Sequence, residues 1–396
     1  MAWGEGPTLA TRWEQACHLA RSLHTHWQLG QSFTGFTNAL VRESPTLVQA
    51  LKQRFHRIMR QKAGRYWTVN GWLVFAVDGT RIEAPHTADN EAGLGCAGKR
   101  KTAPQVFLTT LWHVGLGLPW DFRVGPGTTS ERTHASQMIE ELPERSLLTA
   151  DAGFVSYAFC RKLLMQGHAF LLRVGANVSL LTGLGYYWEE RGGLVYLWPK
   201  KCRRDAPLVL RLIELVRGKQ TVCLLTNILA AEQLSDKEAI EIYRLRWGEE
   251  VYHRSFKQTL ERRTLLSRTP ATCLAEVQWI VLGTWLLGLM QIVPGIPRNA
   301  SPRKWSVARS RDVVRRAMRN VPPGGRRAPR RTTLQQALAN AIHDSYTRHS
   351  SKQARNYPRK KTEKPPGRPK IKTAKRYEIQ LAKRFPPPTI PKRWTA

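Results

Sequence analysis

The sequence predicts an α/β fold, a mixed β-sheet flanked by helices, on the basis of three observations. Two short apolar runs, residues 73–77 and 147–150, each end abruptly at an aspartate, as buried strands do when they deliver a carboxylate to the edge of a sheet. Strand-like and helical runs alternate over residues 70–175. A later helix carries a stripe of charged side chains near residue 250. This alternation is typical of helices packed against a sheet.

Residues 1–65 are predicted to form a helical unit that precedes the sheet. Ser44 and Pro45 match an N-cap followed by a first-turn proline, so a helix is expected to begin there. Apolar side chains recur after them at helical spacing, and Arg54 and Arg57 lie among the polar positions. Taken alone, the pattern fits a solvated amphipathic helix.

The elements of the predicted sheet follow in order along the chain. Residues 105–112 and 118–124 flank a turn with two glycines and are predicted to pair as a hairpin. A capping box at residues 128–131 begins the next helix. Residues 156–166 form a second helix, and residues 170–174 form the last strand of this part.

A glycine-rich segment at residues 93–98 matches the pattern GxGxxG. Dinucleotide binding needs a strand before that pattern and a helix after it, and the polar and basic residues on either side fit neither. We therefore expect a loop flanked by basic residues. The sequence also lacks GxxxxGK[ST], so nothing in it indicates ATP hydrolysis.

The later helix is predicted to present one functional stripe. At 100° per residue, four side chains point the same way: Tyr243, Arg246, Glu250 and Lys257. Glu249 points about 120° away from the first of them, so the stripe singles out Glu250. An ion-pair ladder on a solvated helix would have a similar pattern.

Asp78 and Asp151 follow the two apolar runs, and Glu250 lies on the later helix. An aspartate and a small residue after a strand usually form only a turn. Three carboxylates from two strand ends and one helix can also converge on two divalent cations, which prefer oxygen ligands. Two such ions can activate a water or a 3′ hydroxyl for in-line phosphoryl transfer.

Asp151 and Glu250 lie too far apart in the sequence to be connected by one helix and a loop. Residues 176–226 are therefore predicted to be a β-rich insertion. Its strand-like runs are residues 193–197, 208–215 and 221–225.

The charge balance indicates a polyanionic partner. The 63 lysines and arginines exceed the 29 acidic residues and give a formal net charge of +34. Residues 301–396 hold 27 of these cations against 4 acids, and their prolines favour a basic, largely extended tail. Within that tail, the Gly-Arg-Pro sequence around Arg368 resembles a hook that enters the minor groove of DNA. Nonspecific phosphate binding is the alternative.

Compartment and membrane contact are predicted from cysteines and apolar runs. The 6 cysteines have no CxxC spacing, and the N-terminus lacks an export pattern, which favours a reducing cytoplasm. The apolar stretch at residues 277–293 is slightly short for a membrane span and contains glutamines. It is expected to be a buried helix, so no membrane partner is predicted.

Three motifs occur along the chain in the order Asp78-Gly-Thr, Asp151-Ala-Gly-Phe and Tyr243-x2-Arg246-x3-Glu250-x6-Lys257. In this order and spacing the chain resembles a DDE transposase of the insertion-sequence-four family, whose relatives include the Tn-five and Tn-ten transposases. The last motif is specific, whereas the first two are weak by themselves. The similarity extends over most of the chain and thins out at both ends.

The resemblance implies three segments: a helical DNA-binding unit at residues 1–65, an RNase H-like catalytic domain at residues 66–300 and a DNA-binding tail at residues 301–396. It implies that two Mg²⁺ or Mn²⁺ ions are bound by Asp78, Asp151 and Glu250. It also implies contacts with the DNA phosphates beside the scissile bond from Tyr243, Arg246 and Lys257.

Two further roles follow from family position. Arg54 and Arg57 would recognise the terminal inverted repeats of the element. In some relatives an aromatic residue of the β-rich insertion stacks on a flipped base. Trp198 is the first candidate for this role and Trp188 is its competitor, although a tryptophan in a strand is more often part of the core.

The expected activity is cut-and-paste DNA transposition, with cleavage at the ends of an insertion sequence and strand transfer into target DNA. The expected partner is double-stranded DNA of the nucleoid, both the terminal inverted repeats and the target, bound by at least a dimer in the synaptic complex. Two alternatives are a related metal-dependent nuclease that does not join DNA, and a catalytically inactive DNA-binding relic.

Overall fold

The computed structural model describes residues 1–23, 28–30, 32–97, 103–188, 192–217, 220–296, 301–319, 334–341, 367–386 and 388. The contacts among them divide the chain into two compact units. Unit 1 comprises Met1–Trp67, Gly79–Ser130 and Gly248–Thr347, and unit 2 comprises Thr68–Asp78, Glu131–Trp247 and Arg348–Ala396.

The strands are β1 (Val74–Glu83), β2 (Gln105–His113), β3 (Leu118–Pro126), β4 (Leu147–Ala150), β5 (Ala169–Val174), β6 (Ser179–Thr182), β7 (Leu194–Leu197), β8 (Leu208–Arg217), β9 (Gln220–Thr226) and β10 (Lys370–Thr373). The helices are α1 (Leu9–Leu23), α2 (Phe33–Lys62), α3 (Ala88–Leu94), α4 (Glu131–Met138), α5 (Tyr157–Met165), α6 (Asp236–Leu245), α7 (Trp247–Arg254), α8 (Pro270–Gly295), α9 (Val307–Met318), α10 (Leu334–Asn340) and α11 (Arg376–Ala382).

The strands form one mixed sheet in the order β10-β6-β7-β8-β9-β5-β4-β1-β2-β3. The series β3-β2-β1-β4-β5 is the strand order of the RNase H-like fold, with β2 and β3 antiparallel and with β4 parallel to both β1 and β5. Strands β6 to β9 come from residues 176–226 and extend the sheet beyond β5 through antiparallel pairs. The predicted α/β fold and its β-rich insertion are therefore confirmed.

Helix α2 differs from the prediction at its start. It begins at Phe33, where the side chain of Ser32 accepts a hydrogen bond from the backbone of Gly35 at 3.1 Å. Ser44 and Pro45 lie inside this helix. The Ser44 hydroxyl donates to the carbonyl of Leu40 at 2.5 Å and accepts from the indole N–H of Trp279 on α8 at 2.8 Å. This contact with a distant helix overrides the local signal for a helix start.

The N-terminal helices belong to unit 1 and do not form a compact unit of their own. The ammonium group of Lys52 on α2 pairs with the carboxylate of Asp121 on β3, and both side chains are buried. Arg123 donates to the other oxygen of that carboxylate at 2.7 Å. The ring of His56 stacks on Trp120 with centroids 3.8 Å apart. Buried polar and aromatic contacts therefore fix α2 against the hairpin.

Helix α8 is the central helix of unit 1. It is long and apolar enough to cross a membrane by length and composition, and 61% of its most apolar stretch is buried inside the protein. It packs against α2, β3 and α10. The predicted buried helix at residues 277–293 is confirmed as part of it.

The described parts of residues 301–396 are folded, so the prediction of a largely extended tail is wrong for them. Helices α9 and α10 contribute Val314 and Leu338 to an apolar cluster with Leu287 of α8 in unit 1. In unit 2, β10 pairs in parallel with β6, and α11 follows directly. Helices α9 and α10 bury apolar side chains that composition alone did not distinguish from the charged ones. The arginine and lysine clusters at residues 326–331 and 358–361 lie outside the described residues.

We expect Asp121→Leu to lower the free energy of unfolding by about 3–5 kcal/mol, because Lys52 would stay buried without its carboxylate. Adding Lys52→Met should recover much of that loss, since two apolar side chains of similar volume need no charge partner. Urea unfolding of the single and double variants measures both changes. The matched control is Arg42→Met in the exposed pair with Glu43, with an expected change below about 0.5 kcal/mol. A double variant no more stable than Asp121→Leu would contradict this account.

Candidate active site

Asp78 and Asp151 are brought to neighbouring positions in unit 2 by the register of two parallel strands. Val77 of β1 pairs with Ala150 of β4. Asp78 and Asp151 directly follow these two residues, so they occupy equivalent positions on neighbouring strands. Adjacent strands lie about 4.8 Å apart, and residues at one level of a parallel pair point to the same face. Both aspartates are partly exposed. The structure therefore brings together two of the three predicted carboxylates.

The setting of Asp78 differs from the prediction in one respect. Strand β1 does not end at Val77 but continues through Asp78 as far as Glu83. Strand β4 does end at Ala150, directly before Asp151. One carboxylate thus stands within a strand and the other begins a loop.

The loop after β4 fixes the carboxylate of Asp151. Its Oδ1 atom accepts a hydrogen bond from the backbone N–H of Gly153 at 2.7 Å. The ring of Phe154 is fully buried, which anchors the far side of the loop. Within the strands, the hydroxyl of Thr149 donates to the carbonyl of Phe75 at 3.1 Å and links β4 to β1.

Tyr243 on α6 and Arg246, directly after that helix, lie in the same unit. The helix begins with a capping box formed by Ser235 and Glu238. Burial raises the pKa of Tyr243, the positive charges of Arg246 and Arg173 oppose the rise, and the charge of Asp151 adds to it. The phenol is therefore neutral at physiological pH and lies within electrostatic range of Asp151. The guanidinium of Arg246 lies over the phenol ring, 5.5 Å from its centroid.

Arg173 is a candidate site residue that the sequence analysis missed. It lies on β5, next to β4 in the sheet, and its charge acts on Tyr243. The signal that could have identified it is a single cation inside the otherwise apolar strand Ala169–Val174.

Glu250 and Lys257 lie in unit 1, because the boundary between the units falls between Trp247 and Gly248. Both side chains are partly exposed. The single regular helix predicted for the stripe is wrong. Helix α6 ends at Leu245, and α7 begins two residues later.

Lys257 lies in a π-helical turn, Ser255–Thr259, that follows α7. The backbone N–H of Leu260 donates to the carbonyl of Ser255 at 2.9 Å, a spacing of five residues. A π-turn holds more residues than an α-turn, so the angular position predicted for Lys257 from 100° per residue does not apply.

Carboxylate oxygens on adjacent strands are the ligands that hard divalent cations prefer, so the pair Asp78 and Asp151 fits such an ion. Across the described residues, no group of three or more histidine, cysteine, aspartate or glutamate side chains is gathered closely enough to hold a metal ion. Within the described residues, the pair Asp78 and Asp151 is not joined by a third such side chain.

The predicted base-stacking role of Trp198 is wrong for this structure. The side chain is 2% exposed. Its indole N–H donates to the carbonyl of Asp205 at 2.8 Å, the guanidinium of Arg203 lies 4.1 Å from the ring centroid, and Phe385 packs edge-on against it. Trp198 is a core residue whose ring is covered by other side chains of the protein, so no base can stack on it. The competitor Trp188 is 80% exposed.

The remaining predicted DNA-binding residues are on the surface. Arg54 and Arg57 are exposed on α2 in unit 1. Arg368 is exposed in unit 2, where it donates to the hydroxyl of Thr221 at 3.2 Å and lies 3.7 Å from the carboxylate of Glu214. Its guanidinium is therefore already engaged with the β8–β9 hairpin.

Comparison with known proteins gives a family match, a sequence relative and a solved structure. A family model described as the transposase DDE domain matches residues 71–286. The transposase InsG for insertion sequence element IS4 of Escherichia coli (strain K12) is 27% identical over 237 residues, which cover 56% of this chain and 53% of that protein. The match thus spans about half the length of this relative. Among solved structures, the piggyBac transposase synaptic complex with hairpin DNA has a TM-score of 0.37 and 13% identity over 72% of this chain and 60% of the other.

We expect Gly153→Ala to weaken the binding of Mn²⁺ about 10-fold or more, because the new methyl group would lie 3.0 Å from Oδ1 of Asp151 and displace that carboxylate. Isothermal titration calorimetry measures the dissociation constant. Gly192→Ala is the matched control in the same unit, since its methyl group would meet nothing within 4 Å. Equal Mn²⁺ affinity in the two variants would contradict a metal-binding role for Asp151.

Proposed function

The chain belongs to the transposase DDE domain family, and from this premise we propose that it is a DNA transposase of the cut-and-paste type. It would cut DNA at the ends of an insertion sequence and join the freed 3′ hydroxyls to target DNA. The observation that carries the proposal is the pair of aspartates at one level of β1 and β4, with Tyr243 and Arg246 in the same unit.

We assign Asp78, Asp151 and Glu250 as ligands of a divalent metal. The family implies use of such a metal, and we propose two Mg²⁺ or Mn²⁺ ions. When bound, these ions would activate a water or a 3′ hydroxyl and stabilise the leaving oxygen. The neighbouring positions of the two aspartates support this assignment, and the spacing of the last sequence motif supports Glu250.

The phenol and the cations of the last motif are suited to hold a DNA phosphate. Tyr243 is a neutral phenol, so its hydroxyl can donate a hydrogen bond to a phosphate oxygen. Arg246 is oriented over the phenol ring and offers a fork of donors. Lys257 would add a further positive charge. These charges also offset the repulsion between the carboxylates before metal binds.

Double-stranded DNA is the proposed partner, as terminal inverted repeats and as target, bound by a protein dimer in the synaptic complex. The net charge of +34 supports a polyanionic partner. Arg54 and Arg57, both exposed on α2, are the proposed contacts with the repeats. A protein acting on chromosomal DNA would work in the cytoplasm, at the nucleoid.

A second DNA contact is proposed on unit 2, at the insertion–tail surface, defined by the exposed cations Lys200, Lys201, Arg204, Lys372 and Arg376. The insertion and the tail are joined there by an ion pair between Arg203 and Glu378, 2.5 Å apart. Glu378 is the single acid in residues 367–386, and this pair buries it. The five cations of this surface suit a phosphate backbone without reading its sequence.

The two alternatives differ from a transposase in measurable products. A related nuclease would hydrolyse DNA at the same carboxylates without joining the ends. A DNA-binding relic would bind repeats and cut nothing. All three acids are present in their motif contexts, which favours a working enzyme over a relic.

We expect the purified protein, incubated with DNA that carries the inverted repeats flanking its gene, to cut at the repeat tips in Mg²⁺ and not in EDTA. Glu250→Gln should reduce cleavage at least about 100-fold, because loss of a metal ligand removes several kcal/mol of transition-state stabilisation. Gel analysis separates cut from joined DNA. Glu144→Gln, an exposed acid outside the motifs, is the control. Binding without cleavage, equal in wild type and Glu250→Gln, would identify a relic; cleavage without joined product would identify a nuclease.

We expect Lys201→Glu combined with Arg376→Glu to weaken binding to duplex DNA of any sequence. The slope of log affinity against log salt should fall by about 1 for each DNA phosphate that the variant no longer neutralises. Filter binding at several salt concentrations gives both quantities. Arg145→Glu combined with Lys237→Glu changes the net charge equally at exposed positions outside this surface. If both double variants lose the same affinity, the effect is one of net charge and the proposed surface is refuted.

A further inference from the structure

Next to Glu250, a second acid is enclosed in the core of unit 1. Glu249 is 0% exposed, and its Oε1 accepts a hydrogen bond from the hydroxyl of Thr110 on β2 at 2.5 Å. The same hydroxyl lies 3.0 Å from Nε2 of His253. Glu249 and His253 are four residues apart on α7, so both reach the sheet from one side of the helix.

The hydrogen-bonding capacity of these groups fixes their arrangement. A threonine hydroxyl has one proton, so it can donate one hydrogen bond, and Thr110 donates it to the carboxylate of Glu249. Its oxygen can then only accept from His253, whose Nε2 must carry the ring proton. The three side chains form one connected hydrogen-bonded set that constrains the rotation of α7 about its axis against β2.

Aromatic contacts also hold α7 close to β2. The ring of Tyr252 packs against Trp112 with centroids 4.8 Å apart. A methyl group at Gly248 would lie 3.5 Å from the indole nitrogen of Trp112. The hydrogen bonds among Glu249, Thr110 and His253 add a directional constraint on α7 from the side of β2.

Successive side chains on a helix are about 100° apart, so the direction of Glu249 determines that of Glu250. We propose that Thr110, Glu249 and His253 are positioning residues that set the direction of the Glu250 carboxylate and thereby the affinity for its divalent metal. This inference rests on the proposed function through the role of Glu250.

The test compares Thr110→Val, which keeps the shape and removes the hydroxyl, with Thr110→Ser, which keeps the hydroxyl. Thr110→Val is expected to raise the dissociation constant for Mn²⁺ about 10–100-fold, measured by calorimetry without DNA, and Thr110→Ser to stay near wild type. In metal-free protein, hydrogen exchange of the peptide covering residues 247–254 should be about tenfold faster in Thr110→Val and unchanged in Thr110→Ser.

The second pair is His253→Leu and His253→Gln, where the glutamine amide can replace the Nε2 donor. It repeats the comparison if Thr110→Val does not fold. A merely structural role predicts a lower melting temperature with unchanged Mn²⁺ affinity, and that result overturns the proposal. The proposal is also overturned if the hydrogen-exchange rate of the peptide 247–254 is the same in Thr110→Val as in wild type, whether or not Mn²⁺ is present. Failure of the proposed function gives a different result. In that case wild type neither binds Mn²⁺ nor cuts DNA, although Thr110→Val still exchanges hydrogen faster than wild type.

Discussion

The in-register parallel pairing of β1 with β4 is the constraint on which the candidate site depends. It sets Val77 opposite Ala150 and thereby puts Asp78 and Asp151 at one level of the sheet. A slip of one residue would turn one carboxylate to the opposite face. The register is held by buried side chains along both strands and by the bond from Thr149 to the carbonyl of Phe75. Two carboxylates that repel each other are thus fixed side by side by the apolar core beneath them.

The insertion and the tail are structurally one piece within unit 2. Strands β6 to β9 continue the sheet from β5, and β10, which lies far away in sequence, pairs with the outermost of them. The pair of Arg203 with Glu378 and the contact of Trp198 with Phe385 close the interface. A segment that looked like a charged tail is therefore a structural component of the insertion. This explains why Trp198 is part of the core.

Local patterns predicted those features that are decided locally. The apolar runs before Asp78 and Asp151 form buried strands, as their composition predicts. The capping box of α6 forms hydrogen bonds with backbone N–H groups of the same helix end. The misses came from contacts that the sequence does not reveal. The indole N–H of Trp279 donates to Ser44 in mid-helix, Phe385 covers Trp198 from the far end of the chain, and the π-turn moves Lys257 off the regular helix. The stripe did separate Glu250 from Glu249, and the burial of Glu249 agrees with that separation.

The packing of β10 and α11 in unit 2 has a practical consequence for truncated forms of the protein. Stopping translation before residue 367 would discard β10 and α11 together with Phe385 and Glu378. Trp198 would then meet solvent on one side, Arg203 would lose its acid, and β6 would replace β10 as the edge strand of the sheet. A protein shortened to remove the positive charge would therefore also lose part of its packed structure. Replacing exposed lysines and arginines by neutral residues would lower the charge and keep β10 and α11 in place.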